Sequence, residues 1–90
     1  MARVIIPSAL RAAAGGQASV EVGGRRLKDV IENLCSTYPG LRPLVLDESG
    51  SLHHHLAIFV DGVEVRVGAG LYSEVGEDSE VILTLALSGG

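Results

Sequence analysis

Leu56-Ala57-Ile58-Phe59-Val60-Asp61-Gly62-Val63-Glu64-Val65-Arg66-Val67 decides the fold of this chain. Leu56 to Val60 is a continuous apolar run of strand-forming residues, and Asp61-Gly62 is a dipeptide favoured in two-residue type I′ turns. On the return, Val63, Val65 and Val67 alternate with Glu64 and Arg66, which is the period of a strand with one buried face. The stretch therefore predicts a β-hairpin, and its neighbours must supply the rest of a sheet and whatever covers it.

Downstream, Gly68 to Val75 reads as a loop with one short helical turn and Gly76 to Ser79 as a tight turn. Glu80 onward is a further strand. Val81, Leu83, Leu85 and Leu87 alternate with Ile82, Thr84, Ala86 and Ser88, so one face is wholly apolar and the other mostly so, as in a strand buried within a sheet. Ser88, Gly89 and Gly90 follow it. Extended, they would carry a carboxylate roughly 10 Å beyond the fold, as a mobile tail over 88–90. Glycine suits such a tail because it has no side chain to block a narrow channel.

Upstream, Leu41 to Leu46 is a turn of helix or an extended connection interrupted by Pro43, and Asp47 to Ser51 is a polar loop. Leu27, Val30, Ile31, Leu34, Cys35 and Tyr38 recur at the i, i+3, i+4, i+7 spacing of an amphipathic helix, ended by Pro39-Gly40. No Ser, Thr, Asp or Asn precedes Leu27, and Arg25, Arg26 and Lys28 oppose the positive end of the helix dipole. Packing must then hold the helix start. Gly23-Gly24 separates the helix from a strand over Gln17 to Val22, itself preceded by a strand over Arg3 to Ile6. These two strands read as a hairpin with a long connection over Ser8 to Gly16, in which a helical turn over Ala9 to Ala14 is the alternative.

The 90 residues make one domain, with 47% hydrophobic residues and a net charge of −4. Tyr38, Phe59 and Tyr72 do not interleave with basic clusters, so nucleic acid is not an expected partner. No apolar run approaches a membrane span, and the N-terminal apolar run is too short for a signal peptide. A cytoplasmic, soluble protein is expected. The single Cys35 excludes an internal disulfide, and beside Leu34 on the apolar helix face it reads as a small core hydrophobe. His53-His54-His55 invites a metal, but without a further Cys or His it reads as solvated polar residues at a loop-to-strand junction. Asp47-Glu48 and Glu77-Asp78 read as turn charges. No catalytic constellation and no metal site is expected.

Ile6-Pro7 followed by Leu10-Arg11, Gly15-Gly16, Tyr38-Pro39-Gly40-Leu41, Phe59-Val60-Asp61-Gly62 and terminal Gly89-Gly90 stand in an order that resembles the ubiquitin-like β-grasp proteins. Within them the chain resembles the small bacterial and archaeal sulfur carriers, over its whole length. The fold implied is α+β, a mixed sheet of about five strands packed on one main helix, as a single sulfur-carrier domain over 1–90. The long Pro43 to Leu56 segment looks most like the carrier of cysteine biosynthesis. Leu87-Ser88 before the glycines departs from the usual pattern, and carriers for molybdopterin, thiamine or a secondary metabolite stay open.

The resemblance implies that Gly90 bears the chemistry. A terminal carboxylate is a poor electrophile at neutral pH, with a pKa of about 3.3–3.7. An ubiquitin-activating-like enzyme would adenylate it with ATP, and a sulfur nucleophile would then leave a thiocarboxylate. Gly89, Ser88 and Leu87 would be read by the partners, aided by an apolar patch on the exposed sheet face. Those partners would be the adenylating enzyme, a sulfur-accepting synthase, PLP-dependent on the cysteine reading, and a metalloprotease that frees the product. The chain itself would be no enzyme and would bind no cofactor. A covalent protein modifier is the alternative, with Lys28 as the only lysine available for chains of it, and a β-grasp binding module without tail chemistry is a third reading.

Overall fold

The computed structural model describes residues 1–65 and 69–85. Five strands form one mixed sheet, β1 Ala2–Ile5, β2 Ser19–Val22, β3 Leu56–Val60, β4 Val63–Glu64 and β5 Glu80–Leu85, in the order β2-β1-β5-β3-β4. β5 runs parallel to β1 and antiparallel to β3, so it lies at the centre of the sheet. One face is a row of valines, Val20, Val4, Val81, Val60 and Val63 in register across all five strands. With Ile58 and Leu83 behind them, all but the edge residues Val20 and Val63 are buried in a core shared with the helix side. The architecture is the α+β arrangement expected.

The main helix, α1, is Leu27–Thr37, and it buries Leu27, Val30, Ile31, Leu34 and Cys35. Its first residue has no side-chain cap. A lost cap costs roughly 1 kcal/mol, whereas each fully buried aliphatic side chain contributes roughly 1.5–3 kcal/mol, so packing wins as anticipated. A distant loop also ties the start down. Leu27 N–H donates to Ser73 O at 2.9 Å, Val75 N–H donates to Arg25 O at 2.8 Å, and Arg26 Nη1 donates to Tyr72 O at 2.9 Å.

Ser8–Ala14 is a 3₁₀ helix where a long connection was expected. The Ala-rich stretch shows no broad apolar face, but burial of Leu10 and Ala14 holds it, and Gly15 ends it at φ 64° with its N–H on Arg11 O. β1 starts one residue earlier than expected, where Ala2 pairs with Val22, and β2 starts two residues later, although Ile6 N–H still bonds Ala18 O just beyond the paired strands. Of the two readings of Leu41 to Leu46, the helical one holds. Pro39–Leu41 is a 3₁₀ turn and α2, Arg42–Val45, follows it with Pro43 in the first turn, where no backbone N–H is needed. A further 3₁₀ turn spans Ala69–Tyr72.

In the hairpin, Asp61 (φ 50°) and Gly62 (φ 84°) both take positive φ, as a type I′ turn requires. β4 is only two residues, shorter than its alternation suggests, although Val65 N–H still reaches Ile58 O at 2.9 Å. Arg66 and Val67 of the expected return strand lie outside the described residues.

Asp61 also locks the hairpin to the start of β5. Its carboxylate accepts Glu80 N–H at 2.9 Å and Ser79 Oγ at 2.7 Å, and Ser79 Oγ in turn accepts Gly76 N–H at 2.8 Å. The Glu80 amide first, and then the Ser79 hydroxyl, hold this carboxyl below the usual carboxylate range. A pKa lowered by folding contributes stability above the unfolded value of about 4, and that contribution is lost as pH falls through the folded value. Asp61→Asn, which keeps the turn's tolerance for positive φ, is expected to lower the urea midpoint at neutral pH. The gap from wild type should close as the pH is taken below about 4. A gap independent of pH would show that the carboxylate charge contributes nothing.

Candidate functional site

Leu87, Ser88, Gly89 and Gly90 lie outside the described residues, so the structure defines the base from which they follow. That base is β5, paired on both sides. Val4 and Ile5 oppose Val81 and Ile82, and Leu56 to Val60 oppose Leu85 to Val81. Val81 and Leu83 are buried, whereas Leu85, last in the strand, is exposed. A strand held on two edges and one face is the most rigid support a small sheet offers.

The other face of β5 lies on the side of the sheet where an exposed apolar patch was expected. In strict register the row Ser19, Ile5, Ile82, Phe59 and Glu64 crosses the sheet opposite the valine row. Ile5, Ile82 and Phe59 are only half-buried among the described residues. Ala57 and Thr84 extend this surface toward the end of β5, the Thr84 hydroxyl donating to Ala57 O at 3.2 Å. At the opposite end the exposed Glu21, Arg3 and Glu80 stand side by side. The result is an apolar strip with charged residues at one end and the C-terminal end of β5 at the other. An apolar sheet face could be anticipated from the alternation, but its members could not be named without the strand register.

The other candidates resolve by position. Cys35 is buried, and desolvation pushes its thiol pKa up, which suits a core residue and opposes a reactive thiolate. Asp47 is exposed, and its Oδ1 accepts hydrogen bonds from Ser49 N, Ser49 Oγ and Ser51 N, closing the polar loop. Glu48, Glu77 and Asp78 are exposed in turns. His53, His54 and His55 are brought together at the turn before β3, with His54 and His55 exposed and His53 half-buried. Among the described residues, no helix is long and apolar enough to cross a membrane.

Comparison with known proteins gives a consistent result. The chain is 36% identical over 89 residues to the sulfur carrier protein CysO of Mycobacterium tuberculosis, covering 97% of this chain and 96% of that protein. The crystal structure of that CysO superposes with a TM-score of 0.88 at 34% identity, covering 97% of this chain and all of the other. CysO in the BexX/CysO complex of Amycolatopsis orientalis superposes with a TM-score of 0.88 at 30% identity over the whole of both chains. The small archaeal modifier protein 1 of Methanosarcina acetivorans superposes at 0.82 with 26% identity, covering 99% of this chain and 95% of the other. No family model matches the chain.

Proposed function

The chain belongs to the CysO family of ubiquitin-like sulfur carriers, and on that premise we propose that it carries sulfur on Gly90 for cysteine biosynthesis. The observation that supports this most is the end-to-end likeness to CysO in sequence and in fold.

The chemistry follows from the carboxylate. Gly90 attacks the α-phosphorus of ATP in the active site of an ubiquitin-activating-like enzyme, and pyrophosphate leaves. Hydrosulfide, or a persulfide followed by thiol reduction, then attacks the acyl carbon and expels AMP. The product is a thiocarboxylate, nucleophilic at sulfur, on a chain that performs no catalysis itself. A sulfur-accepting synthase consumes it, PLP-dependent in the cysteine pathway, and a metalloprotease then frees the product and restores Gly90. Glycine at 89 and 90 and the short Ser88 let the tail thread a narrow channel, and Leu87 meets the channel mouth.

Ordering three such residues costs on the order of 1–2 kcal/mol each, so affinity must come from elsewhere. The strip of Ile5, Ile82 and Phe59 is the docking surface in this reading, since it crosses β5, the strand that precedes the tail, and continues along it to Thr84. Phe59→Glu puts a charge at the centre of that strip and is expected to raise the activating enzyme's KM for the carrier about tenfold or more. The unfolding temperature should change little, because Phe59 is outside the core. An unchanged KM would place the docking surface elsewhere.

The deciding experiment is the intact mass of the protein after incubation with a candidate activating enzyme, ATP and a sulfide source, with fragmentation of the C-terminal peptide. One sulfur-for-oxygen exchange at Gly90 is expected. The likeness to an archaeal modifier protein supports a second reading, covalent attachment through the same activated Gly90. That reading requires lysine-linked adducts and no gain of sulfur.

A further inference from the structure

We propose that His53, His54 and His55 form a binding site for a borderline divalent transition-metal ion, independent of the sulfur chemistry. One donor atom from each of the three imidazoles lies within 4.8 Å of the other two. Imidazole nitrogens bind Zn²⁺ at about 2.0–2.1 Å, which puts neighbouring ligands of a tetrahedral ion about 3.3 Å apart. Closing the difference takes small rotations of side chains that are exposed at His54 and His55 and half-buried at His53.

Three consecutive residues of an extended strand cannot share a face, because the middle one points the other way. Here a turn replaces the strand. Leu56 N–H donates to His53 O at 2.9 Å, and the rings gather with centroids 4.9, 5.0 and 3.8 Å apart. The backbone beneath them is fixed at both ends. His53 N–H donates to Val45 O at 2.7 Å, Leu52 bridges to Leu46, and Leu56 is buried at the start of β3. A cation would therefore order only exposed side-chain torsions, a small cost compared with ordering a loop.

The surroundings favour positive charge. Asp47 and Glu48 line the cleft beside His53, and Asp47 is held in place by Ser49 and Ser51. Arg42 shares that cleft but is paired with Glu32 at 2.9 Å. His55 N–H donates to His53 Nδ1 at 3.3 Å, a long hydrogen bond that is cheaply given up when either nitrogen of His53 turns to the ion. Imidazole donors select Zn²⁺, Cu²⁺ or Ni²⁺ over Mg²⁺ and Ca²⁺, and three of them leave a coordination position open to water.

The test is calorimetric titration of tag-free, full-length protein with Zn²⁺ in a non-chelating buffer, with Mg²⁺ as control. One ion per chain is expected to bind, His54→Gln and His55→Gln each weakening it on the order of tenfold or more, and Mg²⁺ producing no heat. Binding of equal affinity in a protein with all three histidines changed to Gln would overturn the site, as would no binding at millimolar Zn²⁺. Should the triple variant unfold, ring-proton resonances of the wild-type protein decide. Zn²⁺ shifting all three imidazoles supports the site, and shifts confined to other residues refute it.

Discussion

A chain shortened to end at Ser88 is expected to unfold at the same temperature as the 90-residue protein and to take up no sulfur. The two halves of this result have separate causes. Among the described residues the pairings of β5 run to Leu85 at the end of β3, and two terminal glycines carry no side chain to pack, so their removal is expected to change stability by less than about 0.5 kcal/mol. The carboxylate, however, moves back by two residues, roughly 7 Å, and now belongs to a residue with a side chain. Misplacement of a reacting group by even 1 Å can cost about a hundredfold, so thiocarboxylate formation should fall by well over that. The measurement is the rate of sulfur uptake by intact mass, with thermal unfolding alongside. A shortened chain that gains sulfur at the wild-type rate would remove Gly90 from the mechanism. A shortened chain with a lowered unfolding temperature would instead give residues 89 and 90 a structural role.

Gly24→Ala should be the most damaging single-methyl substitution in the connection between β2 and α1. Gly24 takes φ 142°, and a Cβ there would stand 2.8 Å from Val30 N and 2.9 Å from Val30 Cγ2. The first of these is backbone of the main helix, which cannot step aside as a side chain can. Backbone strain and overpacking each cost about 1–3 kcal/mol, so a loss of about 3 kcal/mol is expected, from a total stability that is on the order of 5–13 kcal/mol for this length. For a domain of this size, that lowers the unfolding temperature by on the order of 15 °C. Gly23→Ala is the control. A Cβ there meets nothing within 4 Å, and the Asn33 side chain bonds only the Gly23 carbonyl, which any residue supplies. Equal urea midpoints for the two variants would refute the packing argument.

The difference between these two glycines was invisible in the sequence, where Gly23-Gly24 read simply as a break. What was legible had a strong local cause. The i, i+3, i+4 spacing from Leu27 to Cys35 can bury one face only as a helix, and Asp61-Gly62 between apolar runs is a turn that few other dipeptides make so readily. The 3₁₀ helix Ser8–Ala14 was legible only as the helical turn allowed over Ala9 to Ala14, because the residues it buries, Leu10 and Ala14 with Ala13 beside them, make no broad apolar stripe in an alanine-rich run. For the site the division is similar. Alternation signalled two sheet faces, while the tail expected from Gly-Gly at the end of an apolar strand lies outside the described residues. That Ile5, Ile82 and Phe59 share the open one required the parallel pairing of β1 with β5, which no local pattern encodes. The gathering of His53 to His55 likewise required a turn bounded by Val45 and Leu56.

The central position of β5 also decides when the molecule can come into being during synthesis. Val4 waits for Val81, and β3 waits for the same strand, so a nascent chain holds β1 and β3 with no partner between them until Leu85 has been made. Such long-separation pairings form late, and a chain that is stopped early never acquires them. Interrupted translation products therefore remain unfolded and open to proteases. The folded pool is restricted to molecules whose synthesis reached the base of the tail, so under the proposed function an activating enzyme that docks on the finished sheet would be spared competition from carriers broken off before it.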